Sequence, residues 1–296
     1  MEFTKLQGTG NDFIFINQLN KQTNEKLKNY SKAAQKLCDR HYGIGADGLI
    51  TVLKPENKKN EFKMRIFNAD GSEAEMCGNG IRCFAHYTYN LVNKRKIKIE
   101  TKAGIIQPEI IEHNNYYSQV KVNMGFPNFI PSKIPTKIKT SGDWVEDYQI
   151  KIDEKTFNIN CVSMGNPHTI IFLETIENIK LQNWGGTIEN LEVFPEKTNV
   201  EFIEIISREE IAMKVWERGS GITLACGTGA CAAAVAGIKK GLLNKKVTVR
   251  LPGGTLKVSW TGQKDDPVYM TGPAAYVFQG NCNVKNLLRG DINGNS

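Results

Sequence analysis

EAEMCGNGIRC, residues 73 to 83, and TLACGTGAC, residues 223 to 231, place a cysteine in the same Cys-Gly-x-Gly frame twice, at Cys77 and Cys226. One such cysteine is ordinarily a small buried hydrophobe near a helix start. Two in matching frames point to a shared task, and the flanking sequence extends the match. KMRIFNADGSEAEMCGNG (63–80) lies over IAMKVWERGSGITLACGTG (211–229), so that Phe67 falls on Trp216, Asn68 on Glu217, Gly78 on Gly227 and Gly80 on Gly229. Upstream, GNDFIFI (10–16) resembles GNPHTIIF (165–172) and sets Asn11 over Asn166. Downstream, NKRKIKIETKAGII (93–106) covers NKKVTVRLPGGTL (244–256), and VNMGFP (122–127) matches VYMTGP (268–273). Segments recurring in one order mark an internal duplication.

Each half reads as several short β-branched or alternating runs bounded by Gly, Pro and Asn, with a helix directly after its Cys-Gly-x-Gly, at about 79–92 and 228–240. The first half adds a helical pattern at about 24–40. The fold expected is α+β. It has two pseudo-symmetric domains, each of mainly antiparallel strands wrapped around a central helix, with the active site in the inter-domain cleft. The domains expected are 1–124 and 125–273, with the junction in the breaker-rich stretch 124–145. A last strand near 274–280 is expected to return to the first domain, and 281–296 to form a loose tail.

The bulk composition narrows the class. With 296 residues, 40% hydrophobic and 23% charged, the chain is neither disordered nor fibrous. Its net charge of +7 is spread out, and the basic clusters NKRKIK (93–98) and KKGLLNKK (239–246) precede strand-like runs as solvated turns do. No nucleic-acid partner is expected. No export signal and no apolar run of membrane-spanning length is read, so the expectation is a cytoplasmic chain with no membrane partner. The seven cysteines are then thiols in a reducing compartment.

A cysteine just before a helix meets unpaired backbone N–H groups and the positive end of the helix dipole, which should lower the thiol pKa and favour thiolate. The glycines let those amides approach an anion such as a carboxylate. Zinc is a weaker reading, because C-x5-C (77 and 83) and C-x4-C (226 and 231) depart from CxxC spacing and the helix turns the second cysteine of each pair away. No metal is expected, and Cys38, Cys83, Cys161, Cys231 and Cys282 are read as core or incidental. Two thiols, each beside an anion cradle, suit two-base racemisation or epimerisation at a carbon next to a carboxylate: one removes a proton and the other delivers one to the opposite face. No lysine motif suggests a pyridoxal Schiff base, so no cofactor is expected. A reversible disulfide between the two thiols is an alternative of another class, but it gives the neighbouring asparagines nothing to do.

KLQGTGNDFIFIN, HYGIGADGLI, FNADGSEAEMCGNGIRC, GNPHTIIF, TNVEF and WERGSGITLACGTGACA together resemble the diaminopimelate epimerase family, pyridoxal-independent enzymes that interconvert LL- and meso-diaminopimelate for lysine and peptidoglycan-precursor synthesis. The resemblance spans essentially the whole chain. It implies that Cys77 and Cys226 are the catalytic acid and base, and that His168 and Glu217 influence their protonation. It implies substrate contacts from Asn11, Asn68, Asn166 and Asn199, and anion cradles from Gly78 with Asn79 and Gly227 with Thr228. It further implies that Glu217 and Arg218 line the substrate pocket, where the Arg218 guanidinium suits a bidentate grip on the distal carboxylate. Some family members have a glutamine where this chain has Gly48, so that contact is not assigned. The partner implied is a small diamino dicarboxylic acid, and a homodimer is the assembly considered. A proline- or hydroxyproline-type racemase is the alternative within the class; Asn68, Asn199 and Arg218 argue against it, since they offer polar groups for a second charged end that proline lacks.

Overall fold

A computed structural model describes residues 1–19, 27 and 29–283. The chain divides into two compact units, Met1–Val122 with the stretch from Pro273 onward, and Asn123–Gly272.

In the first unit β1 (Glu2–Gly8) and β2 (Asn11–Asn17) form an antiparallel hairpin. Its two-residue turn holds Thr9 and Gly10 at φ 53° and 81°, the pair of positive φ values that matches the twist of adjoining strands. Helix α1 (Tyr30–Leu37) leads to β3 (Gly48–Leu53), which runs parallel to β2. Next come β4 (Phe62–Asn68), antiparallel to β3, and the short β5 (Glu73–Ala74). Helix α2 (Gly78–Val92) then crosses to β6 (Ile99–Thr101), parallel to β4. The hairpins β6–β7 (Gly104–Ile106) and β8 (Glu109–Asn114)–β9 (Tyr117–Asn123) follow.

The second unit repeats this plan. After β10 (Tyr148–Ile152), β11 (Lys155–Ser163) pairs antiparallel with β12 (Pro167–Leu173), as β1 does with β2. Helix α3 (Leu181–Glu189) leads to β13 (Asn199–Ser207), parallel to β12. Strand β14 (Glu210–Glu217) is antiparallel to β13 and pairs with the short β15 (Gly221–Thr223). Helix α4 (Gly227–Lys239) crosses to β16 (Lys246–Leu251), parallel to β14, and β17 (Gly254–Ser259) closes a hairpin on it. The duplication in the sequence is therefore a duplication of strand pairing. The sheets are mixed rather than simply antiparallel. Each helical crossover returns the chain in its starting direction, which makes the flanking strands parallel.

The final strand β18 (Tyr269–Asn281) pairs with β17 over Tyr269–Thr271 and with β1 over Ala275–Asn281. Cys282 then donates its N–H to the Met1 carbonyl at 2.9 Å and accepts from the Met1 amine at 2.8 Å. Asn281 and Cys282 are thus held by backbone pairing, which corrects the expectation that the tail loosens from 281; residues 284–296 lie outside the described residues.

Both central helices are buried, for different reasons. α2 buries the face carrying Ile81, Phe84 and Ala85. α4 is buried all round from Gly229 to Gly237, and its run of alanines lets strand backbones approach on every side. In the second unit the core gathers Phe157, Trp184 and Phe202, with Phe157 edge-on to Trp184 at 5.0 Å. The helical pattern at 24–40 is helix only at Tyr30–Leu37 among the described residues. Asn29 caps its start by accepting from the Lys32 N–H. Its end comes before Asp39, whose carboxylate accepts the His41 and Tyr42 N–H groups and turns the chain away. Helix α3 was not anticipated, since LQNWGGTIE carries two glycines; a Cβ on Gly185 would meet the Trp216 side chain at 2.5 Å, so packing requires the glycine. No helix among the described residues is long and apolar enough to cross a membrane.

Candidate active site

The two Cys-Gly-x-Gly turns fold alike. Cys77 is the N-cap of α2, extended at φ −137° and ψ 121°, and its sulfur accepts the Gly80 N–H at 3.5 Å. Cys226 is the N-cap of α4, at φ −117° and ψ 115°, and its sulfur accepts the Gly229 N–H at 3.4 Å. In both, the thiol stands where a serine or aspartate commonly caps a helix, directly before its first free amides.

In the first unit Asn11, Cys77, Gly78 and Asn79 come together. The Cys77 sulfur lies 3.8 Å from Asn11 Oδ1, which also accepts from Asn79 Nδ2 at 3.3 Å. Asn11 Nδ2 in turn donates to Asp47 at 2.7 Å. Asp47 shares Arg40 with Asp12, and Lys5 pairs with Asp12 at 2.8 Å. Burial pushes the Asp12 carboxyl up, but hydrogen bonds from Arg40 and Lys5 outweigh it and leave the group near 2. The chain of ions therefore fixes the amide beside Cys77. Asn68 ends β4 as an exposed residue, its amide donating to Ser72 Oγ at 3.0 Å.

The second unit builds the mirrored arrangement with a polar addition. Asn166 Nδ2 donates to Thr228 Oγ1 at 3.3 Å, matching the Asn11–Asn79 contact, and Thr228 Oγ1 is 3.5 Å from the Cys226 sulfur. His168 is fully buried, with Nε2 3.0 Å from Asn166 Oδ1 and Nδ1 2.7 Å from Glu201 Oε1. Asn199, beside His168 across the parallel pair β12–β13, donates to the Pro167 carbonyl at 2.8 Å and accepts the Arg218 N–H at 3.0 Å. Its amide thus ties the end of β14 to the start of β12. The exposed Arg218 side chain donates to the Glu196 carbonyl, and Glu217 accepts from the Thr223 hydroxyl.

One expectation is reversed. The helix start was expected to lower both thiols, yet burial first, and then the nearby acidic side chains with Glu217 foremost, push Cys226 well above the ordinary thiol range. Desolvation and these neighbours outweigh two hydrogen bonds to the sulfur at this position. Glu217 is the neighbour that raises Cys226 most after burial, and His168 is connected to the sulfur by hydrogen bonds through Asn166 and Thr228. Of the thiols read as core, Cys38, Cys83 and Cys161 are buried and pushed up by desolvation to about 12. Among the described residues no group of three His, Cys, Asp or Glu side chains is placed to hold a metal.

Glu201 is the residue the sequence reading missed. The signal was present, since Glu201 is a lone charge between Val200 and Phe202 in a strand whose first five residues are all buried. Strand periodicity reads such a glutamate as solvent-facing.

A family profile described as diaminopimelate epimerase matches residues 3–130 and 160–277, both Cys-Gly-x-Gly turns included. The chain belongs to the diaminopimelate epimerase family. It is thereby an isomerase. The diaminopimelate epimerase of Halothermothrix orenii is 58% identical over 282 residues, covering 95% of this chain and 97% of that one. That of Synechocystis sp. is 44% identical, covering 96% and 99%. Among solved structures, a phenazine biosynthesis protein of the PhzF family from Bacillus anthracis superposes with a TM-score of 0.66 at 16% identity, over 95% of this chain and 98% of that one. A probable proline racemase from Agrobacterium radiobacter reaches 0.69 at 12% identity, over 96% and 93%. At those identities the two structures speak for the two-unit α+β fold alone, while the diaminopimelate epimerase sequences speak for the chemistry.

Proposed function

We propose that this chain epimerises LL-2,6-diaminopimelate to meso-diaminopimelate without a cofactor, in lysine and peptidoglycan-precursor synthesis, using Cys77 and Cys226 as its two acid–base groups. One sulfur, as thiolate, takes the α-proton. The electron pair left on the α-carbon delocalises into the neighbouring carboxylate, and the other sulfur, as thiol, delivers its own proton to the opposite face. The thiolate that began the turnover ends it as a thiol, so the resting protonation is inverted and the reverse reaction uses the same two groups in exchanged roles. The observation that carries this reading is the duplicated cap: two cysteines, each bonded to the third amide of a helix and each beside an asparagine-anchored polar group.

The amides at the two helix starts supply donors for the carboxylate as charge accumulates on it. Asn11, Asn79, Asn166 and Thr228 are assigned to substrate contact, and Asn68, Asn199, Glu217 and Arg218 to the amino and carboxylate groups at the far end. A reducing, cytoplasmic compartment is part of this proposal, because two cooperating thiols must stay unoxidised to exchange protons.

The test is to follow reduced protein with LL-diaminopimelate in D₂O by NMR. The expected result is deuterium entering one α-carbon as the meso product forms, with turnover lost in Cys77→Ala and Cys226→Ala. Exchange with proline-type acids in place of diaminopimelate would keep the two-thiol chemistry and overturn the substrate. Unchanged turnover in either cysteine variant would overturn the assignment of the thiols.

A further inference from the structure

The duplication allows a comparison that neither half permits alone. Asn11 corresponds to Asn166, so Phe13 corresponds to His168. The register of the parallel pairs β2–β3 and β12–β13 then matches Gly48 with Asn199 and Ile50 with Glu201. The helix glycines agree: a Cβ on Gly80 would meet Ile50, and a Cβ on Gly229 would meet Glu201. One unit thus fills these two core slots with Phe13 and Ile50, and the other with His168 and Glu201, all four fully or almost fully buried. The architecture does not require a charged pair there. A buried histidine–glutamate pair in place of an apolar one is costly unless it does something.

The hydrogen bonds around it have a direction. Thr228 lies beside the amide nitrogen of Asn166, so the Asn166 oxygen faces His168 and can only accept. In this amide orientation His168 carries its proton on Nε2. Asn166 donates to Thr228, whose hydroxyl is left to donate to the Cys226 sulfur. At the other end, Nδ1 faces Glu201 Oε1, while Glu201 Oε2 is buried with no hydrogen-bond partner among the described residues. A carboxylate with one bare oxygen in the core is much less favourable than a carboxyl group. Burial indeed pushes Glu201 up. The groups facing Glu201 are His168 from β12, Cys161 from β11, Glu217 from β14 and Cys226 at the start of α4.

We propose that Glu201 is a positioning residue for the epimerisation: as a neutral carboxyl it donates to His168 Nδ1, holds the imidazole in its Nε2–H form, and so directs the chain His168–Asn166–Thr228 to end as a hydrogen bond on the Cys226 sulfur. That bond favours thiolate at a thiol that burial and Glu217 otherwise keep protonated. The proposal rests on the reading of Cys226 as an acid–base group, but it can be tested without turnover.

In a Cys77→Ser background, the alkylation of Cys226 by iodoacetamide is followed against pH by peptide mass spectrometry, for Glu201, Glu201→Gln and Glu201→Ile. The ¹⁵N shifts of His168 are recorded in parallel. A glutamine amide can donate to Nδ1 as the carboxyl does, so Glu201→Gln should keep the Nε2–H form and the alkylation midpoint. Glu201→Ile copies the residue of the sister unit and lets the imidazole turn its lone pair on Asn166; the midpoint should rise, with alkylation about tenfold slower below it. In Cys77-containing protein, kcat should fall with KM little changed for Glu201→Ile and be rescued by Glu201→Gln. A midpoint that falls in both variants would show Glu201 acting as a buried negative charge and overturn the proposal. So would an unshifted midpoint in folded Glu201→Ile, or a doubly protonated His168 at neutral pH in the unmodified protein. Should Glu201→Ile fail to fold, the Gln variant and the His168 spectrum still decide. Loss of the epimerase reading itself would appear separately, as turnover surviving Cys226→Ala.

Discussion

Gly229 faces Glu201 so closely that a Cβ at the glycine would stand 2.6 Å from Glu201 Oε1, and 3.3 Å from the Cys226 sulfur it hydrogen-bonds. At the corresponding Gly80 the nearest atoms are methyl groups of Ile50 and Ile66, at 3.1 and 3.2 Å. Alanine favours a helix over glycine by up to about 1 kcal/mol. A methyl group against an isoleucine can be accommodated by a few tenths of an ångström. Against a buried carboxyl already bonded to His168 it cannot. Gly80→Ala should therefore be near neutral in urea unfolding, whereas Gly229→Ala should lose about 1–3 kcal/mol and disturb Cys226. Equal effects at the two glycines would contradict the different roles assigned to Ile50 and Glu201.

The cap geometry separates stability from catalysis at Cys77. A serine hydroxyl accepts the Gly80 N–H at least as well as a thiol does, and a methyl group cannot accept it. Cys77→Ser should therefore keep its melting temperature while losing α-proton exchange by about a hundredfold or more. Cys77→Ala should lose both, with stability falling by about 1 kcal/mol. Thermal unfolding beside the deuterium assay distinguishes them, and an active serine variant would remove Cys77 from the mechanism.

The sequence made the duplication, both central helices and both capping cysteines legible, because each rests on local signals: a repeated Cys-Gly-x-Gly, an apolar run, a breaker. It did not reveal what the long-range register decides. Glu201 reads as an outward glutamate until β13 is found buried between β12 and β14. The raised thiol of Cys226 was hidden for the same reason: the helix-start argument is local, while Glu217 and Glu201 arrive from strands at least nine residues away along the chain. Helix α3 was missed because Gly185 answers to Trp216 and not to its own helix.

Glu217 should be visible in the pH dependence of Cys226 labelling. Its carboxylate is the largest cause that raises this thiol after burial itself. Removing a negative charge makes the neighbouring thiolate cheaper to form, so the alkylation midpoint of Glu217→Gln should fall and labelling at a fixed pH below it should accelerate. The shift is opposite in sign to that expected for Glu201→Ile. Midpoints moving in the same direction in the two variants would mean that both glutamates act on the sulfur as charges.

Acid sensitivity should trace to a histidine that takes no part in the catalytic chemistry. His86 on α2 is buried, with Nδ1 2.7 Å from Ser118 Oγ and Nε2 without a hydrogen-bond partner among the described residues. Burial first, and then His113, lower it from its ordinary 6.5 to about 4. The unfolded chain therefore takes up this proton before the folded one does. The contribution to stability is intact above about 6.5 and is lost as pH falls towards 4. Its full size is of the order of 3 kcal/mol from a shift of that extent. Urea midpoints measured from pH 7.5 down to pH 4.5 should fall steeply in the unmodified protein and less steeply in His86→Leu. The variant should also bring the ordinary cost of leaving Ser118 with one histidine partner, His113, at every pH. Parallel slopes in the two proteins would show that His86 does not titrate on unfolding.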